Sequence, residues 1–346
     1  MNIGLFFVPF FEVMRMLFAY TTEKQLVNAR NATTGTQYYC PDCGSLLIRK
    51  AGSLLIPHFA HSAKEICHGM SEGETIEHLN LKQMFYQWGQ QTDQQWQLET
   101  PLNDLAQRPD LLNRKLAVEI QCSSLKSTRL AERIKGYSQN GYQDWWLLGV
   151  KLRPNKKFTS LQKQFCSFSK DKGVHVWGIK KDEISLFYHI YQQDQHYQYS
   201  KKIWPSYSVP ITTILNTNLS ELPPKIILSK QSVLAEKRRL AKRLSCSEPK
   251  VMKVQTYLYL QRRHLLYLSE WIYFPSRYSF FYQEDLLIFR LLFQQEAKNA
   301  DTIFKKFLYY RETMQRKWIF HRIEEREILE RLYLEAIFCQ RKAKIL

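Results

Sequence analysis

The stretch RPDLLNRKLAVEIQCS, Arg108–Ser123, decides how this chain is read. A segment ending at Asp110 forms one short strand and Lys115–Gln121 the next, with Asn113-Arg114 turning the chain between them. Side chains alternate across a strand, so Glu119 and Gln121 share one face while Val118 and Ile120 enter the core. The hairpin returns Glu119 beside Asp110. Two carboxylates and the Ile120 carbonyl converging on one point make a hard-oxygen site for Mg²⁺ or Mn²⁺. An ion held there activates water and neutralises charge on a phosphodiester.

Upstream, Thr75 caps a helix reading IEHLNLKQMFYQWG, with Ile76, Leu79, Met84 and Trp88 near one face. Glu74 and Glu77 open it, and either can reach the metal. The candidate catalytic set is therefore Glu77, Asp110, Glu119 and Gln121. Gln121 stands where a lysine is commoner; an amide cannot act as a base, but it can orient the attacking water. His78 and Lys82, four apart on one helix face, are placed to contact the scissile phosphate. Trp96–Glu99 reads as a further strand, residues 125–139 as a basic helix, and 144–150 as a buried strand. On the basic helix Arg129 and Arg133, with Lys126, form a stripe suited to DNA. The order helix, three strands, helix, strand implies an α/β mixed sheet, the arrangement of the restriction-endonuclease-like PD-(D/E)xK core. The P-D-x8-E-x-Q spacing alone is a weak signal, because carboxylates on strands usually end up solvated or paired with Lys or Arg. The basic helix that follows is what favours a nuclease.

A second constellation precedes this one. Cys40-x2-Cys43, His58-x2-His61 and Cys67-His68 lie within thirty residues. A C-x2-C turn sets two thiolates as a tetrahedral Zn²⁺ requires, and Pro41 and Gly44 favour such a knuckle. Between the pairs, SLLIRK and SLLIPHF form a hairpin around Ala51-Gly52 that carries the second pair back to the first. A closed set of four is a structural zinc site. Spacing leaves open whether His58 or Cys67 joins Cys40, Cys43 and His61.

The net charge of +18 points to an anionic partner, with nucleic acid first and a membrane surface second. Seven cysteines, scattered apart from the cluster, exclude a secreted disulfide framework and suit a reducing, cytoplasmic setting. No apolar run is long enough for a membrane span. Residues 1–15 read as a mis-annotated start or a loose extension, because Met16 opens an ordinary strand. The expected divisions are 16–70 for a zinc-ribbon-like β module, 71–200 for the nuclease-like domain, 201–229 for a Pro-marked linker, and 230–346 for a basic α-helical region. That last region holds most of the excess charge, with the run Lys237–Arg243 its densest part. It reads either as a DNA-binding arm or as a bundle with a solvated charged face.

Taken in order, CPDCG, PHFAHS, the set Glu74, Glu77, His78 and Lys82, RPDLL, VEIQCS, ERIKGY and WWLLG resemble the CoiA competence proteins of Gram-positive bacteria. The resemblance covers residues 16–150 well and the remainder only in general character. It implies a PD-(D/E)xK nuclease-like domain behind a zinc-finger-like segment. It also implies a part in natural transformation, processing or recombining incoming DNA, with single- or double-stranded DNA as partner and recombination proteins as companions. Asp110, Glu119 and Gln121 carry over as the D and E-x-Q of the pattern, and Glu77 or Glu74 as the helix carboxylate. Residues 1–15 have no counterpart in it. The competing readings are a DNA-binding accessory protein that keeps the nuclease fold without turnover, and a membrane-surface scaffold recruited by charge.

Overall fold

The computed structural model describes residues 15–346 apart from 42, 53–54, 63–74, 94, 156, 194–195, 297–298 and 345–346. Of the expected N-terminal extension only Arg15 is therefore described. The chain divides into two compact units. One holds Met1–Arg153, Trp177–Ser185 and Ile203–Thr217; the other holds Pro154–Val176, Leu186–Lys202 and Asn218–Leu346.

The first unit begins with six short strands: β1 (Arg15–Met16), β2 (Phe18–Tyr20), β3 (Leu26–Asn28), β4 (Tyr38–Tyr39), β5 (Leu46–Lys50) and β6 (His58–Ala60). They form one sheet in the order β1-β6-β5-β4-β2-β3. Antiparallel pairing of β5 with β6, Ile48 opposite Ala60, closes the hairpin expected across Ala51-Gly52. Met16, Ala19, Tyr38, Cys40, Leu47 and Phe59 make its core, with the Tyr38 and Phe59 rings 4.8 Å apart.

Helix α1 (Ile76–Thr92) follows, capped where the sequence places the cap: the Thr75 hydroxyl accepts from the His78 amide. Then come β7 (Gln97–Leu98), β8 (Leu111–Asn113), β9 (Leu116–Gln121), α2 (Ser127–Gln139) and β10 (Gln143–Leu148). The β8–β9 turn sits one residue later than read. Arg114-Lys115 is the loop, with Arg114 at φ +53°, as a tight hairpin turn demands. Asp110 consequently lies just before β8 and does not end a strand. Strands β9 and β10 run parallel, so the basic α2 is their crossover connection. Further strands are β11 (Ser167–Ser169), β12 (Gly173–Lys180), β13 (Glu183–Gln193) and β14 (His196–Pro205), after a short α3 (Ser160–Gln164). The large sheet is ordered β14-β13-β12-β10-β9-β8-β7, and β12, β13 and β14 each contribute residues to both units. The result is a mixed α/β chain. Within the stretch read as a linker, β14 runs to Pro205 and α4 spans Ile211–Leu215.

The second unit is largely helical: α5 (Lys230–Ser245), α6 (Pro249–Leu260), α7 (Ser279–Tyr282), α8 (Asp285–Gln295), α9 (Ala300–Thr313) and α10 (Glu325–Ala343). Many of its rings are core. Phe281 stacks on Trp318 at 5.5 Å, and Phe289 meets Phe307 edge-on at 5.2 Å. Its charges are partly internal as well. Arg243 is held by Glu248 and Glu284, Arg239 by Glu236, and Lys237 lies 4.8 Å over the Tyr273 ring. Arg238 and Lys242 remain exposed on α5. Among the described residues no helix is long and apolar enough to cross a membrane.

One buried base in this unit sets an acid limit. His175 on β12 is buried, with Nδ1 3.0 Å from the Gly173 carbonyl. Burial pushes its pKa down to about 4. Free histidine in the unfolded chain titrates near ~6.5, so the unfolded state binds the extra proton between those values. Stability is complete above ~6.5 and falls as pH drops toward 4, by about 2–3 kcal/mol at pH ~4.5. Urea unfolding at neutral pH and at pH ~4.5 is expected to show this loss in the wild type and a much smaller one in His175→Gln. Equal acid losses in the two proteins would show that His175 is not the group responsible.

Candidate active site and metal centre

The register of three strands builds the first site. Leu98 lies opposite Leu111 and Leu111 opposite Val118. One step further, Glu99, Asp110 and Glu119 fall in a row across β7, β8 and β9, and the Glu99 amide donates to the Asp110 carbonyl at 3.1 Å. All three are buried. Asp110 Oδ2 accepts from the Ile120 amide at 2.7 Å, so the carboxylate occupies a ladder position next to Glu119. The expected approach of Asp110 to the E-x-Q strand is thus made by a side-chain-to-backbone bond.

Helix α1 supplies two basic side chains. His78 Nε2 lies 2.9 Å from Asp110 Oδ2. Lys82 is fully buried, its Nζ paired with Glu99 and 3.6 Å from Asp110 Oδ1. Burial alone would raise the Asp110 pKa, but His78 and Lys82 outweigh it and hold the carboxyl well below the usual range. Burial likewise acts on Glu99, where Lys82 and Arg108 prevail and keep it low. Glu119 behaves differently. Burial, with Asp110 adding, pushes it up to about 6 against the pull of Arg133.

Helix α2 holds Glu119. Its Oε1 accepts from both the Arg133 guanidinium and the Tyr137 hydroxyl. Arg133 also donates to the Arg108 carbonyl at 3.2 Å and is buried. The sequence puts Arg133 on an outward stripe with Arg129 and Lys126; the structure places it on the inward face with Leu130, Ile134 and Tyr137. Arg129 is half-exposed and lies 3.6 Å from Glu132. The outward-stripe reading fails because four-residue spacing also fits the buried face, and a buried carboxylate there takes an arginine.

Gln121 ends β9, and Glu77 lies in the first turn of α1. Glu77 Oε1 accepts from the Val150 amide at 2.7 Å, tying α1 to the chain just past β10. A side chain at Gly149 would meet the Cys122 sulfur at 2.6 Å and Glu77 Oε1 at 3.0 Å, so one of them would have to move. The Gln121 side chain donates through Nε2 to the Ser123 carbonyl at 3.1 Å. Glu74 lies outside the described residues. Sequence reasoning missed Glu99, Tyr137 and Arg108. A glutamate closing an otherwise half-buried strand was the available signal for Glu99; its φ of +48° and its tie to the Leu17 amide were not foreseeable.

The second site lies in the N-terminal sheet. Cys40, Cys43 and His61 bring their donor atoms within 4.8 Å of one another, and among the described residues this group can hold a metal ion. Gly44 at φ +72° donates to the Cys40 carbonyl, forming the expected knuckle. His61 is buried and its Nδ1 has no hydrogen-bond partner. His58, by contrast, turns Nδ1 to the Ile56 carbonyl at 3.0 Å and is not part of the group. Cys67 lies outside the described residues.

The model of the competence protein CoiA nuclease-like domain matches residues 74–219, and that of the CoiA N-terminal domain matches residues 20–70. The chain belongs to the competence protein CoiA family. Competence protein CoiA of Bacillus subtilis (strain 168) is 33% identical over 117 residues, which cover 33% of this chain and 31% of that protein. The aligned part is thus about a third of that relative's length. No solved structure matches. Within this CoiA-family chain, the N-terminal match encloses the Cys/His group and the nuclease-like match encloses the carboxylate row.

Proposed function

We propose that this chain is a metal-dependent DNA-processing phosphodiesterase of the PD-(D/E)xK type, acting on incoming DNA during competence. The observation that carries the reading is the register that sets Asp110 and Glu119 side by side, with Lys82 buried at Asp110. Match to the CoiA nuclease-like domain supports it.

The donor set suits Mg²⁺ or Mn²⁺, because such ions are commonly held by one or two carboxylates, with waters and substrate phosphates completing the shell. Asp110 and Glu119 would hold the ion, which supplies Lewis acidity and a nucleophilic water when bound. Glu119 shares its charge with Arg133 and Tyr137, which fix its orientation. Lys82 provides the fixed positive charge that Gln121 does not, placed on α1 and not on the E-x-K strand. His78 and the half-exposed Arg129 are the groups assigned to DNA phosphate. Gln121 and Glu77 order the strand ends. At the N-terminal module, Cys40, Cys43 and His61 hold a structural Zn²⁺, with Cys67 as the proposed fourth ligand.

The test is cleavage of single- and double-stranded DNA by the purified full chain with and without Mg²⁺, together with transformation frequency in the host. Wild-type protein is expected to nick DNA only with the ion, and Asp110→Asn to lose that activity while staying folded. Normal transformation by Asp110→Asn would overturn turnover as the role and favour the accessory DNA-binding reading, which the internal ion pairing of the carboxylates also permits.

A further inference from the structure

The second unit carries an exposed turn directly after α6 that neither site above uses. Tyr259, Leu260, Arg262, Arg263 and Tyr267 all face solvent there. The two tyrosines are 74% and 84% exposed. Rings this exposed add little to folding, because burial is what stabilises an aromatic side chain. Between Glu248 and Glu270 the chain holds Lys250, Lys253, Arg262 and Arg263 and no acid. By contrast, the denser run Lys237–Arg243 commits Arg239 and Arg243 to ion pairs with Glu236, Glu248 and Glu284.

The backbone beneath these side chains is tied down. The Arg263 amide donates to the Leu258 carbonyl and the Arg262 amide to the Tyr259 carbonyl, both at 2.9 Å, which closes the end of α6. Arg262 holds φ +56°, a left-handed position where such caps favour glycine. Gln255 Oε1 accepts from the Leu265 amide at 2.9 Å. The buried Tyr273 hydroxyl donates to the Leu265 carbonyl and accepts from the Leu268 amide. Leu265 and Leu268 are themselves buried, and the His264 and Tyr267 rings lie 5.0 Å apart. A fixed frame thus displays two rings and two guanidiniums to solvent.

Charge selects the class of partner. Paired arginines in an acid-free stretch suit a polyanion. The arginines fall in the middle of the turn with a tyrosine toward either end, so phosphates on the guanidiniums leave bases beside the rings. Unpaired bases stack on exposed aromatic side chains, whatever their sequence. A bilayer is the poorer fit, because insertion leads with apolar side chains and this turn places charge at its centre. We propose that the turn after α6 holds single-stranded DNA, with phosphates on Arg262 and Arg263 and bases stacked on Tyr259 and Tyr267. The proposal rests on the DNA-processing reading for its natural ligand, and adds to that reading a strand-holding surface in the second unit.

The test is fluorescence anisotropy of the full chain with no added Mg²⁺ or Mn²⁺, so that binding is read apart from cleavage. The probes are oligodeoxythymidine and an abasic oligomer of equal length and charge, titrated over a range of salt. Tyr259→Ala with Tyr267→Ala is expected to weaken oligodeoxythymidine by about tenfold and the abasic oligomer hardly at all. Arg262→Gly with Arg263→Gln should weaken both oligomers alike and reduce the salt slope by about two phosphate contacts. Glycine suits the left-handed backbone at 262, so this second variant should melt no lower than wild type. Wild-type affinity and salt slope in both variants overturn the proposal and leave the DNA-processing reading standing. A tyrosine effect equal on the two oligomers overturns it as well. So does binding of phosphatidylglycerol vesicles that the tyrosine changes abolish while oligomer binding is unchanged. Because no step depends on the ion, a chain that never cleaves DNA can still pass this test, and one that cleaves can still fail it.

Discussion

Glu119→Ala is expected to destabilise the first unit by about 3–5 kcal/mol, the usual cost of stripping one partner from a buried ion pair. Arg133 is buried, and its guanidinium and the Tyr137 hydroxyl both donate to Glu119 Oε1. Without that carboxylate the positive charge stays inside the protein, next to the Arg108 carbonyl, the Tyr137 hydroxyl and the Trp146 ring at 5.9 Å, none of which is anionic. Loss of cleavage by this variant would therefore say little about chemistry. Glu119→Gln separates the two effects. Its amide oxygen can still accept from Arg133 and Tyr137, so the fold should survive better, while the anionic donor is gone and ion-dependent cleavage should disappear. Urea unfolding and Mg²⁺-dependent nicking, measured on both variants, check the pair. If Glu119→Ala is as stable as wild type, Arg133 finds water in solution and the account of the buried pair is wrong.

The other large effect is expected at the Cys/His group. Structural zinc commonly supplies on the order of 10 kcal/mol of apparent folding free energy to a small module. The N-terminal sheet has strands of two to five residues and a core of few side chains. Such a sheet has little apolar burial with which to hold itself. Purified protein should carry about one equivalent of zinc by elemental analysis. Cys40→Ser, or a strong chelator, should release the metal and strip hydrogen-exchange protection from residues 15–60, with the second unit's helices unaffected. His58→Ala should keep the metal, because His58 is bonded to the Ile56 carbonyl and lies outside the group. A metal-free chain whose N-terminal sheet is unchanged in Cys40→Ser would remove zinc from the account.

Arginine 133 shows why the site was only partly legible. The sequence offers Arg129 and Arg133 four apart, a pattern shared by an exposed basic stripe and by a helix with one arginine turned inward. Leu130, Ile134 and Tyr137 mark the inward face, and Arg133 falls among them. Only a buried acid on the neighbouring strand makes that position acceptable for a cation. Lys82 repeats the lesson on α1: read as a phosphate contact, it lies fully buried between Glu99 and Asp110.

Residue pattern was enough for the order of elements from α1 to β10, the Thr75 cap, the approach of Asp110 to the E-x-Q strand, though not the bounds of β8 or the place of its turn, and the Cys40-x2-Cys43 knuckle. Each depends on contacts within a turn or between adjacent strands, where side-chain period and turn chemistry decide the outcome. Tertiary structure alone decided that Glu99 completes a row of buried acids, that Lys82 and Arg133 neutralise that row from two helices, and that His61 but not His58 joins the cysteines. It also decided the two compact units, whose residues interleave along the chain. One cause underlies all of these. A buried charge is tolerated only with a partner, and the partner is chosen by packing between segments far apart in sequence, which no local pattern records.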